Sequence, residues 1–317
     1  MRNELIIAAL IAFFISIVLG PVILPILRKI KAGQTEREDG PESHLKKTGT
    51  PTMGAFIYLI SAFLVCALKI KSYPDMIPTL LLTFGFMLIG FLDDFIKVVL
   101  KRSLGLRAWQ KFSLQIVFAL AYALYIKANS PELFDMVIPF TQRTVNFGWL
   151  SIPAVIFIIV GTVNGSNFTD GVDGLETSVT SALLAFFIFA SMGVSESVGM
   201  VSSIFLGALL GFLMFNVNKA KVFMGDTGSL ALGALVCGLA FSLKLPLYLP
   251  VIALIYFAEV LSVIMQVLYF KATKGKRIFK MTPIHHHFEL SGWSEPKVVA
   301  VFATVTLVLG AFVLLFI

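Results

Sequence analysis

Leu5-Ile-Ile-Ala-Ala-Leu-Ile-Ala-Phe-Phe-Ile-Ser-Ile-Val-Leu-Gly-Pro-Val-Ile-Leu-Pro-Ile-Leu27 carries no ionisable side chain. An α-helix rises ~1.5 Å per residue, so a run of this length crosses the ~30 Å hydrocarbon core of a bilayer. The run is continuous rather than alternating, which favours a spanning helix over a barrel strand. Its apolar character continues to Leu27 with no clear small-residue cleavage site behind it, so it reads as a retained first span. Similar runs recur, and spans are expected at 4–27, 53–70, 77–92, 108–126, 151–166, 178–193, 198–215, 228–243, 247–269 and 297–317. The expected fold is an all-α integral membrane protein of about ten transmembrane helices, a single polytopic domain over residues 1–317.

Composition agrees. Of 317 residues 58% are hydrophobic and 14% charged, against about 25% charged in soluble domains. Mean hydropathy is +0.92. These values exclude a disordered chain, argue against a soluble enzyme and leave no room for a large soluble domain. The two cysteines, Cys66 and Cys237, sit inside apolar stretches and form neither a disulfide framework nor a CxxC pair.

The net charge of +7 acquires meaning from its placement. Of the 25 Lys and Arg, only Arg2, Lys69, Lys71, Lys127, Arg143 and Lys244 fall on the side of the even-numbered loops and the termini. The positive-inside rule makes the other loops cytoplasmic and puts both termini outside. The excess is topological and phosphate-facing, and no nucleic-acid partner is expected. The outer stretch 127–150 has turn residues and is expected to form a short helix or hairpin without chemistry.

The acids mark the chemistry. Asp93, Asp94, Asp170, Asp173 and Asp226 all fall on the predicted cytoplasmic face, and only Glu259 lies deep in a span. Carboxylates at a membrane boundary are costly unless solvated, paired or functional. Gly90-Phe-Leu-Asp93-Asp94-Phe-Ile-Lys97 ends a span with two acids and a lysine one turn later. Alone it would read as a solvated helix end with an ion pair. Asn164-Gly-Ser-Asn167-Phe-Thr-Asp170-Gly171-Val-Asp173-Gly174 gathers amides, carboxylates and glycines, a set suited to Mg²⁺ and to close approach of an anion. A tight turn explains its glycines but not its amides and acids. Asn216 precedes Phe223-Met-Gly-Asp226-Thr227-Gly-Ser229. Here Asp226 is a metal-ligand candidate, Phe223 can stack on a base, and Thr227 and Ser229 are expected to cap the next helix.

Pro283-Ile-His285-His286-His287-Phe-Glu289 holds three of the four histidines. Consecutive imidazoles point in different directions, so they make a poor zinc cluster but suit phosphate binding and proton handling. Gly40-Pro-Glu-Ser-His44-Leu-Lys-Lys47-Thr-Gly-Thr-Pro-Thr52-Met-Gly54 offers Lys and Thr donors to an anion. By itself it would read as a topology-setting basic loop.

Together these motifs resemble the polyprenyl-phosphate N-acetylhexosamine-1-phosphate transferases, from about Gly40 to the C-terminus. Asp93-Asp94 and Asn167 to Asp173 match the aspartate-rich motifs of that superfamily. The strings GPESH…KTGTPTMG, FMGDTGS and PIHHHFE are similar to its muramoyl-pentapeptide branch. The resemblance implies a Mg²⁺-dependent transfer of phospho-N-acetylmuramoyl-pentapeptide from UDP-N-acetylmuramoyl-pentapeptide to undecaprenyl phosphate, giving lipid I and UMP. That step belongs to peptidoglycan synthesis at the bacterial plasma membrane, and hence to cell-wall biogenesis and division. It further implies a homodimer in the lipid bilayer and a bent ninth span, near Pro246 and Pro250.

The catalytic set it implies is Asp93, Asp94, Asp226 and His286, with Asp226 on the metal and Asp93 as base or, in a two-step scheme, a carboxylate of this set as nucleophile. The substrate-binding set is Lys47, Thr52, Lys97, Asn164, Asn167, Asp170, Gly171, Asp173, Asn216, Phe223, His285 and His287. A sister transferase using UDP-N-acetylglucosamine would carry a different histidine motif. A secondary transporter would need broken or charged helices at mid-membrane, whereas the acids here cluster at one face.

Overall fold

A computed structural model describes residues 2–30, 49–99, 105–141 and 143–317. Lys47 and the Gly40–Lys46 part of its motif lie outside the described residues. Each expected apolar segment is helical: α1 (Arg2–Lys29), α2 (Phe56–Lys69), α3 (Ile77–Val99), α4 (Ala108–Asn129), α5 (Ser151–Thr169), α6 (Leu175–Ala190), α7 (Glu196–Asn216), α8 (Gly225–Ser242), the split pair α9 (Leu249–Ile252) and α10 (Leu254–Ala272), and α12 (Glu295–Val313). A short α11 (Ile284–Glu289) precedes the last. Among the described residues eight helices are long and apolar enough to cross a membrane, and α2 and α6 are shorter apolar helices of 14 and 16 residues. The chain is a multi-pass membrane protein.

The two kinds of helix surface are clearest in α1 and α8. On α1, the buried Ala8, Ala12, Ser16 and Gly20 recur every fourth residue, while Leu10, Phe14, Val18 and Val22 are exposed. Lipid tails are as apolar as leucine, so helices associate through close packing of small residues. The backbone of α1 lies so near α7 that a side chain at Gly207 or Gly211 would strike the carbonyl of Ala9 or Phe13. In contrast, α8 is buried on all sides from Thr227 to Phe241. It is packed against α3 and α5, so its N-terminal turn is a fixed point about which other side chains are arranged.

Helix ends differ from expectation where the site lies. Helix α3 continues past Leu92 to Val99, because Phe95, Ile96 and Val98 sustain it and no Gly or Pro intervenes. Asp93, Asp94 and Lys97 are therefore helical rather than at a frayed end. Helix α5 likewise runs to Thr169 and carries Asn164 and Asn167 on its last turns. The outer stretch holds both expected forms, a 3-10 turn at Pro131–Phe134 and a two-stranded hairpin of β1 (Met136–Val137) and β2 (Thr144–Val145). The expected bend is a break: α9 ends at Ala253, which is non-helical at φ −102° and ψ 35°.

Candidate active site

Helices α3 and α8 meet at Gly90, where any Cβ would collide with the Asp226 carbonyl. Glycine is what lets α3 bring Asp93 and Asp94 against the first turn of α8. That turn has free backbone N–H groups and a partial positive charge, and its own N-cap, Met224, offers no side-chain acceptor. Asp94 takes the role from another helix. Its carboxylate accepts the Asp226 amide at 3.2 Å, the Thr227 amide at 2.8 Å and the Thr227 hydroxyl at 2.6 Å. Thr227 and Ser229 were expected as caps. Instead the helix starts at Gly225, whose φ of +74° makes the tight turn, and both lie inside it.

Asp226 is the hub of the cluster. Its Oδ2 receives Lys97 Nζ at 2.7 Å and Lys111 Nζ at 3.0 Å. Its Oδ1 accepts the Asn167 amide at 2.8 Å. Lys97 also reaches Asp93 Oδ2 at 2.5 Å, one helical turn back. The other oxygen of Asp93 accepts the Leu106 amide at 2.7 Å. Asn167 gives a second N–H to Ser229 Oγ at 2.8 Å and accepts from Lys111 at 3.1 Å.

Lys111, one of the basic residues on the predicted cytoplasmic side, is absent from the expected site. Its signal was a lysine one turn inside an apolar segment, with Gln115 one turn further on the same face. Gln115 pairs with Asn164, whose amide donates to it at 2.7 Å. Trp109, Phe112 and Phe168 join Lys111, Gln115 and Asn167 around a cleft of about 480 Å³ between α4 and α5.

Asp93, Asp94 and Asp226 each bring a carboxylate oxygen within 4.8 Å of the others. Oxygen donors of this kind suit a hard divalent cation. Carboxylate oxygens from three residues beside one another make a donor set that fits Mg²⁺. Asp170 lies toward the same acids. Burial first, and then the negative charges of Glu176, Asp226, Asp94 and Asp173, hold its carboxyl well above the usual carboxylate range.

The remaining expected residues divide by what they touch. Asp173 accepts the Ala220 amide at 2.8 Å. Asn216 donates to the Val222 carbonyl at 3.0 Å and accepts the Thr177 hydroxyl at 2.7 Å. In this structure both brace the turn that leads to Phe223. Phe223 is half-buried, and its backbone is strapped to the segment after the basic loop. Its amide donates to the Pro51 carbonyl at 2.9 Å, and its carbonyl accepts the Gly54 amide at 2.8 Å. Thr52 is buried beside Gly225.

The histidines of α11 point three ways. His285 is buried, with Nδ1 3.1 Å from Glu259 Oε1. His286 Nδ1 lies 2.8 Å from Glu289 Oε2. His287 Nδ1 accepts the Lys280 amide at 3.1 Å. Donor atoms of His285, His286 and Glu289 also come within 4.8 Å of one another, although both imidazoles already face a carboxylate. The segment from Asn167, on the last turn of α5, to Asp173 joins the two groups. Asn167 is bonded to Asp226, and a side chain on Gly171 would collide with His285 Nε2. Glu259 and Glu289 were absent from the expected site.

Residues 76–244 match the profile of glycosyl transferase family 4. The chain is 49% identical over 310 residues to the phospho-N-acetylmuramoyl-pentapeptide-transferase of Clostridioides difficile (strain 630), covering 97% of this chain and 96% of the relative. It is 49% identical, over 97% of each chain, to the protein of that name from Caldanaerobacter subterraneus subsp. tengcongensis. It is 47% identical to the one from Acetivibrio thermocellus, covering 95% of this chain and 91% of the relative.

Proposed function

The chain belongs to the phospho-N-acetylmuramoyl-pentapeptide-transferase family, and on that premise we propose that it transfers phospho-N-acetylmuramoyl-pentapeptide from its UDP-activated form to undecaprenyl phosphate. A phosphate oxygen of the lipid bonds to the β-phosphorus of the donor. The bond from that phosphorus to the bridging oxygen breaks, and UMP leaves with the electron pair. The products are lipid I and UMP.

One observation supports this reading above the rest: three carboxylates from two helices converge at the N-terminus of α8 with two lysines among them. Both substrates are anionic, so catalysis here is mainly alignment and neutralisation of charge. Asp226, with Asp93 beside it, would hold Mg²⁺, which when bound offsets the negative charge of the two phosphates. Asp94 has both oxygens engaged by α8, so its part is to fix Asp226. Lys97 and Lys111 lie on Asp226 and are ready to turn to substrate phosphates. Asp93, whose Oδ2 lies beside Lys97 and the Asp226 carboxylate rather than bonded into α8, is the group available to take a proton or to align the acceptor.

The α4–α5 cleft has aromatic walls and Lys111 at its polar end, as a prenyl phosphate acceptor requires. The donor would lie across Gly171, Phe223 and Thr52, with Asp170 and the histidines around it. Nineteen of the basic side chains fall on one side of the ten-span arrangement, which supports a cytoplasmic site in the plasma membrane with both termini outside. The homodimer rests on the family resemblance alone. The test is purified protein with Mg²⁺, undecaprenyl phosphate and either UDP-N-acetylmuramoyl-pentapeptide or UDP-N-acetylglucosamine. Release of UMP with the first donor only is expected, and its absence would sink the proposal.

A further inference from the structure

Helix α10 buries few side chains, and most of them are polar: Tyr256, Glu259, Ser262 and Gln266, with Ile255. In a span whose other faces meet lipid, a polar inner stripe is expensive unless it holds something in place. Gln266 Oε1 accepts the amides of Ile278 and Phe279, each at 3.0 Å. Tyr256 donates to Glu176 of α6 at 2.8 Å. Between them sits Glu259, fully buried, with Oε1 3.1 Å from His285 Nδ1 and Oε2 3.5 Å from the His285 amide. The stretch from Ile278 to His285 is thus fastened to α10 at two points.

The direction of the His285 ring matters. With Nδ1 turned to Glu259, Nε2 points at Gly171, where only a missing Cβ leaves it room. His285 is fully buried, and neither ring nitrogen makes a hydrogen bond among the described residues: Nδ1 has the Glu259 carboxylate 3.1 Å away, whereas Nε2 faces no charged or polar partner. A buried nitrogen without a partner costs free energy unless a ligand satisfies it. A carboxylate behind one imidazole nitrogen fixes the ring and the tautomer, which decides what the other nitrogen presents.

We propose that Glu259 is a positioning residue that acts through His285, aiming Nε2 across Gly171 at the nucleotide-sugar donor. This rests on the proposed function for the identity of the ligand, but not for the Glu259–His285 contact. Glu259 touches no substrate, so its effect must vanish when His285 is absent. Glu259→Gln keeps an oxygen for Nδ1–H, whereas Glu259→Ala does not.

The experiment is a double-mutant cycle on the full-length protein in detergent, with kcat and donor KM measured for wild type, Glu259→Gln, Glu259→Ala, His285→Ala and the double alanine variant. Glu259→Ala is expected to raise donor KM about tenfold, with kcat and lipid KM changed less. Glu259→Gln should recover most of that loss. In the His285→Ala background, Glu259→Ala should add less than about twofold. Additive losses, or equal damage to kcat and both KM values, would overturn the proposal. Nitrogen-15 spectra of histidine-labelled protein test the contact without turnover. The resonance lost in His285→Ala should move in Glu259→Ala, and a fixed position would overturn the proposal as well. If the resonance moves in Glu259→Ala but the wild-type protein releases no UMP, the function is refuted and the contact stands.

Discussion

The aspartate cluster and the histidine segment flank one loop, yet they are built on opposite plans. In the first, Asp226 is fastened by Asn167, Lys97 and Lys111, and Asp94 by the first turn of α8. The cluster satisfies itself, and substrate must displace lysines from it. In the second, a short helix is held from behind by α10, and the His285 imidazole is buried between the Glu259 carboxylate and Gly171 with neither ring nitrogen hydrogen-bonded among the described residues. One plan keeps acids together that would otherwise repel; the other leaves a buried imidazole unsatisfied. Substitutions should therefore fail differently on the two sides.

The sharpest break is expected at the hub. Asp226→Ala should lower kcat by about a thousandfold or more, in the range of removing a main electrostatic group. It should also flatten the dependence on Mg²⁺, and an unchanged Mg²⁺ titration would remove Asp226 from the ligand set. Asp94→Asn tests the other kind of acid. Its carboxylate accepts three hydrogen bonds from α8, so the loss should include about 1–3 kcal/mol of stability. Asp93→Asn should cut turnover as deeply with less change in thermal stability. Equal unfolding behaviour for the two variants would contradict the division between anchor and active group.

How far the sequence carries explains which residues sit in these tests. The apolar runs place every long helix, because spanning segments announce themselves by length and hydropathy. The aspartates and histidines stand out as polar groups beside such runs. What escapes is anything defined by a partner far along the chain. Lys111 meets Asp226 across 115 positions and Glu259 meets His285 across 26, and no local periodicity encodes either pair. The cap of α8 is misjudged for the same reason: Thr227 has the right chemistry for a local cap, but the acceptor comes from Asp94 on α3. The end of α3 is misjudged because two acids look like a boundary, although apolar residues continue the helix beyond them.

Lys111→Met is the next test, and it concerns the cleft. The lysine would serve the acceptor phosphate while steadying Asp226 and Asn167, so lipid KM should rise about tenfold and donor KM less. The reverse pattern would move the acceptor out of the α4–α5 cleft. Phe223→Ala should weaken UMP binding by about five- to tenfold, the range of a lost base–aromatic stack. Because the strap from Pro51 to Gly54 is made by backbone atoms, the fold should survive the change. An unaltered affinity for UMP would count against stacking.

Asp170 gives the smallest effect and links the two plans, since it lies in the shared loop. Burial and four neighbouring acids hold its carboxyl above the usual range near 3.8. An acid whose folded value is raised binds more protons folded than unfolded. Its influence is neutral below pH about 3.8 and turns destabilising as pH rises through the window from there to the raised value. Asp170→Asn removes that burden, so the variant should match wild type in acid and melt a few degrees higher above the window, without Mg²⁺. Mg²⁺ near Asp226 would favour the ionised form of Asp170, and adding it should narrow the gap. A melting difference that is the same at every pH would mean that neither burial nor the neighbouring acids raise the Asp170 carboxyl. A gap indifferent to Mg²⁺ would place the cation away from this loop.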